Sequence, residues 1–153
     1  DYGILPDVVS FAKGIGGGLP LAGIMAGAKT ETVLTPGTHA TTFGGNPICC
    51  AGGLSVLEQL DDALLADVKK KGAYLKEKIS AMPGVKEVRG MGLMLGVALT
   101  DQEGYGAKVN AMIEKGLLCL TAGHSTIRLL PPLTISQEEM DQGLAIMAEV
   151  LGA

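Results

Sequence analysis

One lysine of this sequence has neighbours that suit covalent chemistry. Lys13 ends a short apolar, β-prone run over residues 8–12 and precedes the glycine-rich residues 14–18. A lysine amine attacks a carbonyl only after losing its proton, and an apolar pocket favours that loss because it desolvates the ammonium. Flanking glycines leave room for a bulky group on the amine. The pattern suits an imine-forming lysine, and it also suits a solvated lysine beside a flexible loop.

Two adjacent hydroxyl side chains could bind an anion. Thr41 and Thr42 precede a Gly-Gly turn, and the next residues, Asn46 and Pro47, are typical of an N-cap and a first helical residue. Hydroxyls beside free N–H groups at a helix N-terminus suit a phosphate or a carboxylate. The alternative that stays open is a capped turn without a ligand.

A single arginine lies in an apolar strand pattern. Arg128 stands between Ile127 and Leu129. Burying an unpaired guanidinium is costly, so we expect it to face a substrate carboxylate, a phosphate or an internal salt bridge. His39 and His124 lack metal-ligand spacing and are expected to be structural. We predict no metal site, and three reduced thiols rather than a disulfide framework.

Composition argues against two classes of partner. The chain has 12 basic and 16 acidic residues, a net charge of −4 and 3% aromatic residues, so neither a basic face nor a stacking platform for nucleic acid is expected. We also expect no membrane span, because no apolar run reaches about 18 residues. The first residues resemble neither a signal peptide nor an initiator sequence. We therefore expect a cytoplasmic chain that begins inside a longer protein.

These candidate residues need elements to position them, and the sequence predicts two regions with a boundary near Leu60. Residues 1–60 are glycine-rich, with β-prone runs at 8–12 and 21–26, a loop at 35–46 and a helix at 48–60. That helix is apolar nearly all round and is expected to be buried. Residues 61–153 alternate helices with short strands, which predicts an α+β layer of helices against a small, mainly antiparallel sheet.

The second region carries clear element boundaries. A helix is predicted from residue 61 to the Pro-Gly pair at 83–84, and a second over 104–115, ending at Gly116 and facing inward through Val109, Met112 and Ile113. A third helix should begin at Ser136 with the capping box that Glu139 completes. Strands are predicted over 85–88, 93–100, 117–120 and 126–130.

Five motifs in order resemble the class-III pyridoxal-phosphate (PLP) aminotransferases. They are Leu-Pro-Asp-Val-Val at 5–9, Ala-Lys-Gly-Ile-Gly-Gly-Gly-Leu-Pro at 12–20, Gly-Thr-His-Ala-Thr-Thr-Phe-Gly-Gly-Asn-Pro at 37–47, Val-Arg-Gly-Met-Gly-Leu-Met at 88–94 and Ile-Arg-Leu-Leu-Pro-Pro-Leu at 127–133. The resemblance covers the whole chain. It implies the fold type I architecture of that family, with residues 1–60 ending the large PLP-binding domain and residues 61–153 forming the small α+β domain.

The resemblance also implies roles for four residues. Lys13 matches the lysine that holds PLP as a Schiff base and moves the proton during catalysis. Thr42 matches the threonine that binds the PLP phosphate across a dimer interface, and Thr41 the neighbouring position that touches substrate. Arg128 matches an arginine associated with a substrate carboxylate. One departure, residues 21–23 where relatives show a Gly-Ala pair one step earlier, affects packing near the lysine loop and no role.

Within the family, the sequence most resembles the enzymes of arginine biosynthesis that act on acetylornithine. The implied reaction moves the amino group of N-acetylornithine, or of an ornithine-like donor, to 2-oxoglutarate, in a homodimer. The family is well over twice as long as this chain, and its upstream part supplies the aspartate at the pyridine nitrogen, the stacking aromatic, the phosphate cup and an arginine for substrate. We therefore expect the chain alone to be inactive; the alternative is a non-catalytic, self-associating structural module.

Overall fold

The computed structural model describes residues 2–101 and 103–152. Asp1 and Ala153, the outer limits of the two predicted regions, lie outside the described residues, as does Gln102. The chain divides into two compact units, one ending at Asp61 and the other starting at Asp62. This division lies next to the boundary near Leu60 that the change from glycine-rich sequence to alternating helices and strands predicts. Within the described residues, every helix is too short or too polar to cross a membrane.

The first unit consists of a hairpin, a tight turn and one helix. Strands β1 (Val8–Phe11) and β2 (Gly23–Ala26) pair antiparallel, with a 3-10 turn at Lys13–Gly16 after β1. Helix α1 spans Pro47–Gln59 and begins as predicted, because Asn46 caps it and Pro47 needs no N–H partner in the first turn. Strand β2 is shorter than the predicted run.

The predicted burial of α1 is wrong for this chain. Ile48, Leu54 and Leu57 are 69%, 59% and 56% exposed, and Gly53 is the buried residue of the helix. The physical reason is the small amount of surrounding structure, since a two-stranded hairpin and a turn cannot cover an apolar helix on every side. The first unit thus has a large exposed apolar surface.

The second unit is a sheet with helices, as predicted. Its elements are α2 (Asp62–Ser80), β3 (Val85–Met91), β4 (Met94–Leu99), α3 (Tyr105–Glu114), β5 (Leu120–Thr121), β6 (Thr126–Leu129) and α4 (Gln137–Leu151). The strand order is β3-β4-β6-β5, and each neighbouring pair is antiparallel. A glycine contact seats α2 on the β3–β4 turn, since a Cβ at Gly72 would lie 2.2 Å from the carbonyl oxygen of Gly92.

The core of this unit lies between one sheet face and the helices. It contains apolar side chains from the central strands and from all three helices, among them Ile79, Leu95, Val97, Met112, Ile127 and Met147. Alternate residues of β4 and β6 enter this core, because successive side chains of a strand point to opposite faces. The other sheet face carries the residues in between.

Two details of the second unit differ from the sequence predictions. The predicted strand over 117–120 is largely wrong, because the N–H of Leu117 donates to the carbonyl of Met112 in the turn that ends α3, and β5 starts only at Leu120. Ile113 was predicted to face inward but is 40% exposed, whereas Met112 is fully buried. The capping box of Ser136 and Glu139 forms as predicted.

Candidate functional site

Lys13 occupies a strained backbone position at the start of the 3-10 turn. Its φ is +60°, in the left-handed region that residues other than glycine rarely adopt. The following turn is held by backbone bonds from Ile15 to Ala12 at 3.4 Å and from Gly17 to Gly14 at 3.1 Å. Backbone strain of this kind is most common at functional positions. There the function of the side chain outweighs the conformational free energy that the unfavourable φ costs.

An open groove of about 350 Å³ lies beside Lys13. It is lined by Ser10, Phe11, Ala12, Lys13, Ala22 and Gly23. Gly23 leaves room for the Phe11 ring in this wall, since a Cβ there would lie 2.6 Å from the ring and the ring would have to shift. Lys13 is exposed, and its amine has no ion-pair or hydrogen-bond partner among the described residues. The predicted apolar pocket around this amine is therefore open in this chain, because strands β1 and β2 form only one of its walls.

The threonine pair lies in the loop before α1. Thr41 and Thr42 are both exposed. The helix N-terminus is already capped: Asn46 Oδ1 accepts from the N–H groups of Ile48 at 3.0 Å and Cys49 at 3.3 Å. The predicted free N–H donors are therefore wrong, and the capped-turn alternative describes the backbone here. The threonine hydroxyls remain available to an anion.

Arg128 is exposed, which contradicts the expectation that it is buried. The alternation of β6 places Ile127 and Leu129 in the core and Arg128 on the opposite sheet face. An exposed guanidinium stays hydrated, so no ion pair is required. Within residues 2–101 and 103–152 it has no salt-bridge partner. Arg128 is therefore available to an external carboxylate.

The remaining candidate ligands do not form a site. His39 and His124 are exposed, and the described residues contain no cluster of histidine, cysteine, aspartate or glutamate that could hold a metal. Three cysteines are free. The backbone carbonyl of His124 accepts a hydrogen bond from the hydroxyl of Thr126 at 2.9 Å, which gives that loop a structural contact.

Lys13, Thr41 and Thr42 lie in the first unit, and Arg128 lies in the second. Sequence reasoning missed one residue of interest. Arg89 lies on the same sheet face as Arg128, but the predicted strand ended at Val88, three residues before the end of β3 at Met91. Extending the strand alternation by a single residue would have identified it.

Curated relatives match nearly the full chain. Acetylornithine aminotransferase of Caldanaerobacter subterraneus subsp. tengcongensis is 43% identical over 98% of this chain and 39% of its own length. The enzyme of the same name from Haemophilus ducreyi is 37% identical over 98% of this chain and 38% of its own length. The chain thus spans about two fifths of the length of these relatives.

Solved structures of aminotransferases also match nearly the full chain. Plasmodium falciparum ornithine delta-aminotransferase superposes with a TM-score of 0.86 and 32% identity over 99% of this chain and 41% of its own. N-acetylornithine aminotransferase of Stenotrophomonas maltophilia K279a gives a TM-score of 0.85 and 31% identity over 97% of this chain and 40% of its own. These matches confirm the predicted fold class. The family model for aminotransferase class-III matches residues 1–151, and the chain belongs to the class-III aminotransferases.

Proposed function

We propose that this chain forms the C-terminal part of a PLP-dependent aminotransferase that moves the amino group of N-acetylornithine to 2-oxoglutarate, in arginine biosynthesis. The observation that carries the proposal is the family match over residues 1–151 together with curated acetylornithine aminotransferases at about 40% identity. Ornithine is the second candidate donor, because the similar solved structures include ornithine aminotransferases. The class-III aminotransferases depend on PLP.

The residues of the first unit fit part of a PLP site. The chemistry requires a primary amine that is not committed elsewhere, and Lys13 has no partner among the described residues and lies beside an open groove. A phosphate needs hydroxyl donors, which Thr42 offers from an exposed loop. The pyridine nitrogen needs a carboxylate as well, and Asp7, next to β1, is already paired with Lys29 at 3.1 Å. We propose that upstream residues supply it.

The proposed mechanism gives Lys13 two tasks and the other residues one each. PLP, when bound, acts as an electron sink for the carbon that bears the substrate amine. Lys13 would hold the cofactor through its amine; once released, the amine would take the proton from the substrate carbon as a general base and deliver it to C4′ of the cofactor as a general acid. Thr42 donates to the cofactor phosphate, Thr41 contacts the substrate, and Arg128 binds a substrate carboxylate through its bidentate fork.

We further propose a cytoplasmic homodimer in which Thr42 lies near the subunit boundary. The exposed apolar residues of α1 support the need for additional cover. A non-catalytic, self-associating module is the competing function, and it makes no use of an uncommitted Lys13 amine. The isolated 153-residue chain is expected to show no turnover with either substrate pair, because the partners of the pyridine ring lie outside it.

Borohydride trapping tests the cofactor assignment. The full-length protein is incubated with PLP, reduced with borohydride, digested and examined by mass spectrometry, and the reduced adduct is expected on Lys13. Lys29→Ala is a matched control, because Lys29 is a second lysine of the same unit that is engaged with Asp7. Lys29→Ala should keep the adduct and Lys13→Ala should lose it. An adduct that persists in Lys13→Ala at another lysine would refute the assignment.

A further inference from the structure

Two arginines lie in one row across the open face of the sheet in the second unit. Arg89 of β3 is directly opposite Gly96 of β4, and Gly96 is directly opposite Arg128 of β6. Residues directly opposite each other in antiparallel strands share a sheet face. Both guanidinium groups therefore extend from the face that the helices leave uncovered.

Gly96 leaves the space through which Arg89 reaches toward β6. A Cβ at Gly96 would lie 3.7 Å from Cγ of Arg89, 3.8 Å from its Nε and 3.3 Å from Cγ2 of Thr126. The Arg89 side chain thus lies over the central strand rather than beside it. A methyl group at position 96 would be in ordinary contact with Arg89 and in tight contact with Thr126.

Thr126 holds the far end of Arg89. The guanidinium donates to the hydroxyl oxygen of Thr126 at 3.2 Å, and this hydroxyl donates to the carbonyl of His124 at 2.9 Å. Thr126 is 2% exposed, so its position is well defined. Because Thr126 and Arg128 are two residues apart on β6, they share a face, and the Arg89 charge is held at a position about 7 Å along the strand from Arg128.

The charge on this face is positive. Glu87, two residues before Arg89 on β3, is the charged residue that lies near Arg89 on this face. Its carboxylate lies 3.5 Å from Arg89, and both side chains are more than half exposed. Exposed pairs of this kind contribute little. Strands β4 and β5 carry no charged residue. A carboxylate bound at Arg128 would therefore interact with a second positive charge, that of Arg89.

We infer that Arg89 is a positioning residue for carboxylate binding at Arg128: by crossing Gly96 and bonding to Thr126 it fixes the strand that presents Arg128 and adds a second positive charge next to it. This inference rests on the proposed function, in which Arg128 binds a substrate carboxylate. It assigns no contact between Arg89 and the reacting atoms. The dianionic 2-oxo acid should depend on this second charge more than the zwitterionic donor does.

The test is competitive inhibition of the full-length enzyme by glutarate, a five-carbon dicarboxylate. Arg89→Gln should raise the inhibition constant by about three- to tenfold, the range expected of one partly screened charge that lies about two strand residues away, with kcat unchanged. Arg89→Lys, which restores the charge, should recover most of the affinity. Lys86→Gln removes one positive charge from the same strand outside the row and should leave the inhibition constant unchanged.

A double-variant cycle separates positioning from a general effect on stability. Once Arg128→Gln has removed the bound carboxylate, Arg89→Gln should have little further effect, so the two changes should be less than multiplicative. An unchanged inhibition constant in Arg89→Gln, an equal rise in Lys86→Gln, or fully multiplicative effects would each overturn the inference. If Arg89→Gln does not fold, Thr126→Val, which removes the acceptor of Arg89, takes its place: weaker glutarate binding supports the inference and unchanged binding overturns it.

The same series distinguishes this inference from the proposed function. If Arg128→Gln leaves glutarate binding unchanged, the assignment of Arg128 fails, and the inference fails with it. If Arg128→Gln weakens glutarate binding while Arg89→Gln does not, the proposed function stands and only the role of Arg89 is lost.

Discussion

At the scale of single residues, two reactive side chains stand at positions where a different residue type would be expected from the backbone conformation or from the neighbouring residues. Lys13 has a φ of +60°, a region in which glycine would be less strained. Arg128 projects from a strand whose neighbouring residues form the core. Departures from local preference are expected at functional sites, because function selects the side chain there.

Replacement of Lys13 in the full-length protein should abolish transamination. Lys13→Ala removes both the covalent link to PLP and the proton carrier, and the second role alone is typically worth about 10²–10⁴ in rate. Lys13→Arg should fail as well, because the guanidinium stays protonated. Stopped-flow measurement of both half-reactions gives the result, with PLP retention monitored by absorbance. Near-normal turnover in Lys13→Ala would disprove the proposed role of this lysine.

Thr42→Ala should weaken cofactor binding without removing the chemistry. A hydrogen bond to a charged phosphate is worth about 1.5–3 kcal/mol, so PLP affinity should fall by about tenfold to more than a hundredfold. Turnover should recover at high PLP concentration. Thr38→Ala is the control, because the hydroxyl of Thr38 is engaged with the Thr35 carbonyl at 2.6 Å. Equal losses of PLP affinity in both variants would contradict a specific role for Thr42.

At the scale of elements, glycine contacts and helix caps set the geometry of the second unit. Helix α2 approaches the β3–β4 turn so closely that position 72 must be glycine. Helix α4 starts at a reciprocal cap, in which Ser136 and Glu139 satisfy each other's backbone N–H groups. The Gly72 contact joins residues far apart in sequence, whereas the cap of α4 joins residues within one helical turn.

Gly72→Ala should destabilise the second unit. The added methyl group would overlap the Gly92 backbone, and overpacking of this kind typically costs about 1–3 kcal/mol of unfolding free energy. Gly106→Ala in α3 is a matched control, because a Cβ there meets nothing within 4 Å. That control should be neutral or slightly stabilising. Urea unfolding of the 153-residue chain, followed by circular dichroism, measures both, and equal stability of the two variants would disprove the contact.

The acid stability of the second unit should depend on Glu139. The Ser136 N–H, and then its hydroxyl, lower the pKa of the Glu139 carboxyl from its usual 4.5. A lowered folded-state pKa means that the stabilisation is complete above the unfolded-state pKa and is lost as the pH falls through the lowered value. Glu139→Gln should therefore lower stability at neutral pH and flatten its decline in acid. Glu138→Gln, in the same helical turn, should leave the profile of the thermal midpoint against pH unchanged.

At the scale of the whole chain, exposed apolar surface is the main feature. The first unit exposes Leu54 and Leu57 of α1, and the second exposes Met94 and Leu120 on its open sheet face. Large exposed apolar patches usually mark surfaces that another polypeptide covers. The curated relatives are about two and a half times as long as this chain, which agrees with such cover in a larger enzyme.

The isolated chain should self-associate. Burial of exposed α1 side chains between copies is favourable, at roughly 25 cal/mol per Å² of apolar surface. Analytical ultracentrifugation over a range of concentrations should show species larger than a monomer. Leu54→Glu should shift the distribution toward monomer, whereas Leu118→Glu, at a position 83% exposed in the other unit, is the control. A monodisperse monomer at high concentration would contradict this prediction.

The sequence by itself determined the features that depend on near neighbours. The start of α1 follows from Asn46 and Pro47, and the cap of α4 from Ser136 and Glu139, because capping involves residues within one turn. Short apolar runs located β4 and β6, and five ordered motifs identified the family. These signals need no knowledge of where distant parts of the chain lie.

The tertiary structure alone decided features that depend on residues far apart in sequence. The exposure of Arg128 depends on which sheet face the helices cover, and its row with Gly96 and Arg89 depends on strand register. The exposure of α1 depends on which other segments pack around it. The close approach of Gly72 to Gly92 depends on how α2 packs against the β3–β4 turn. Burial and strand register are set by packing between segments that are far apart in sequence. The residue type and the local spacing at one position therefore do not determine them.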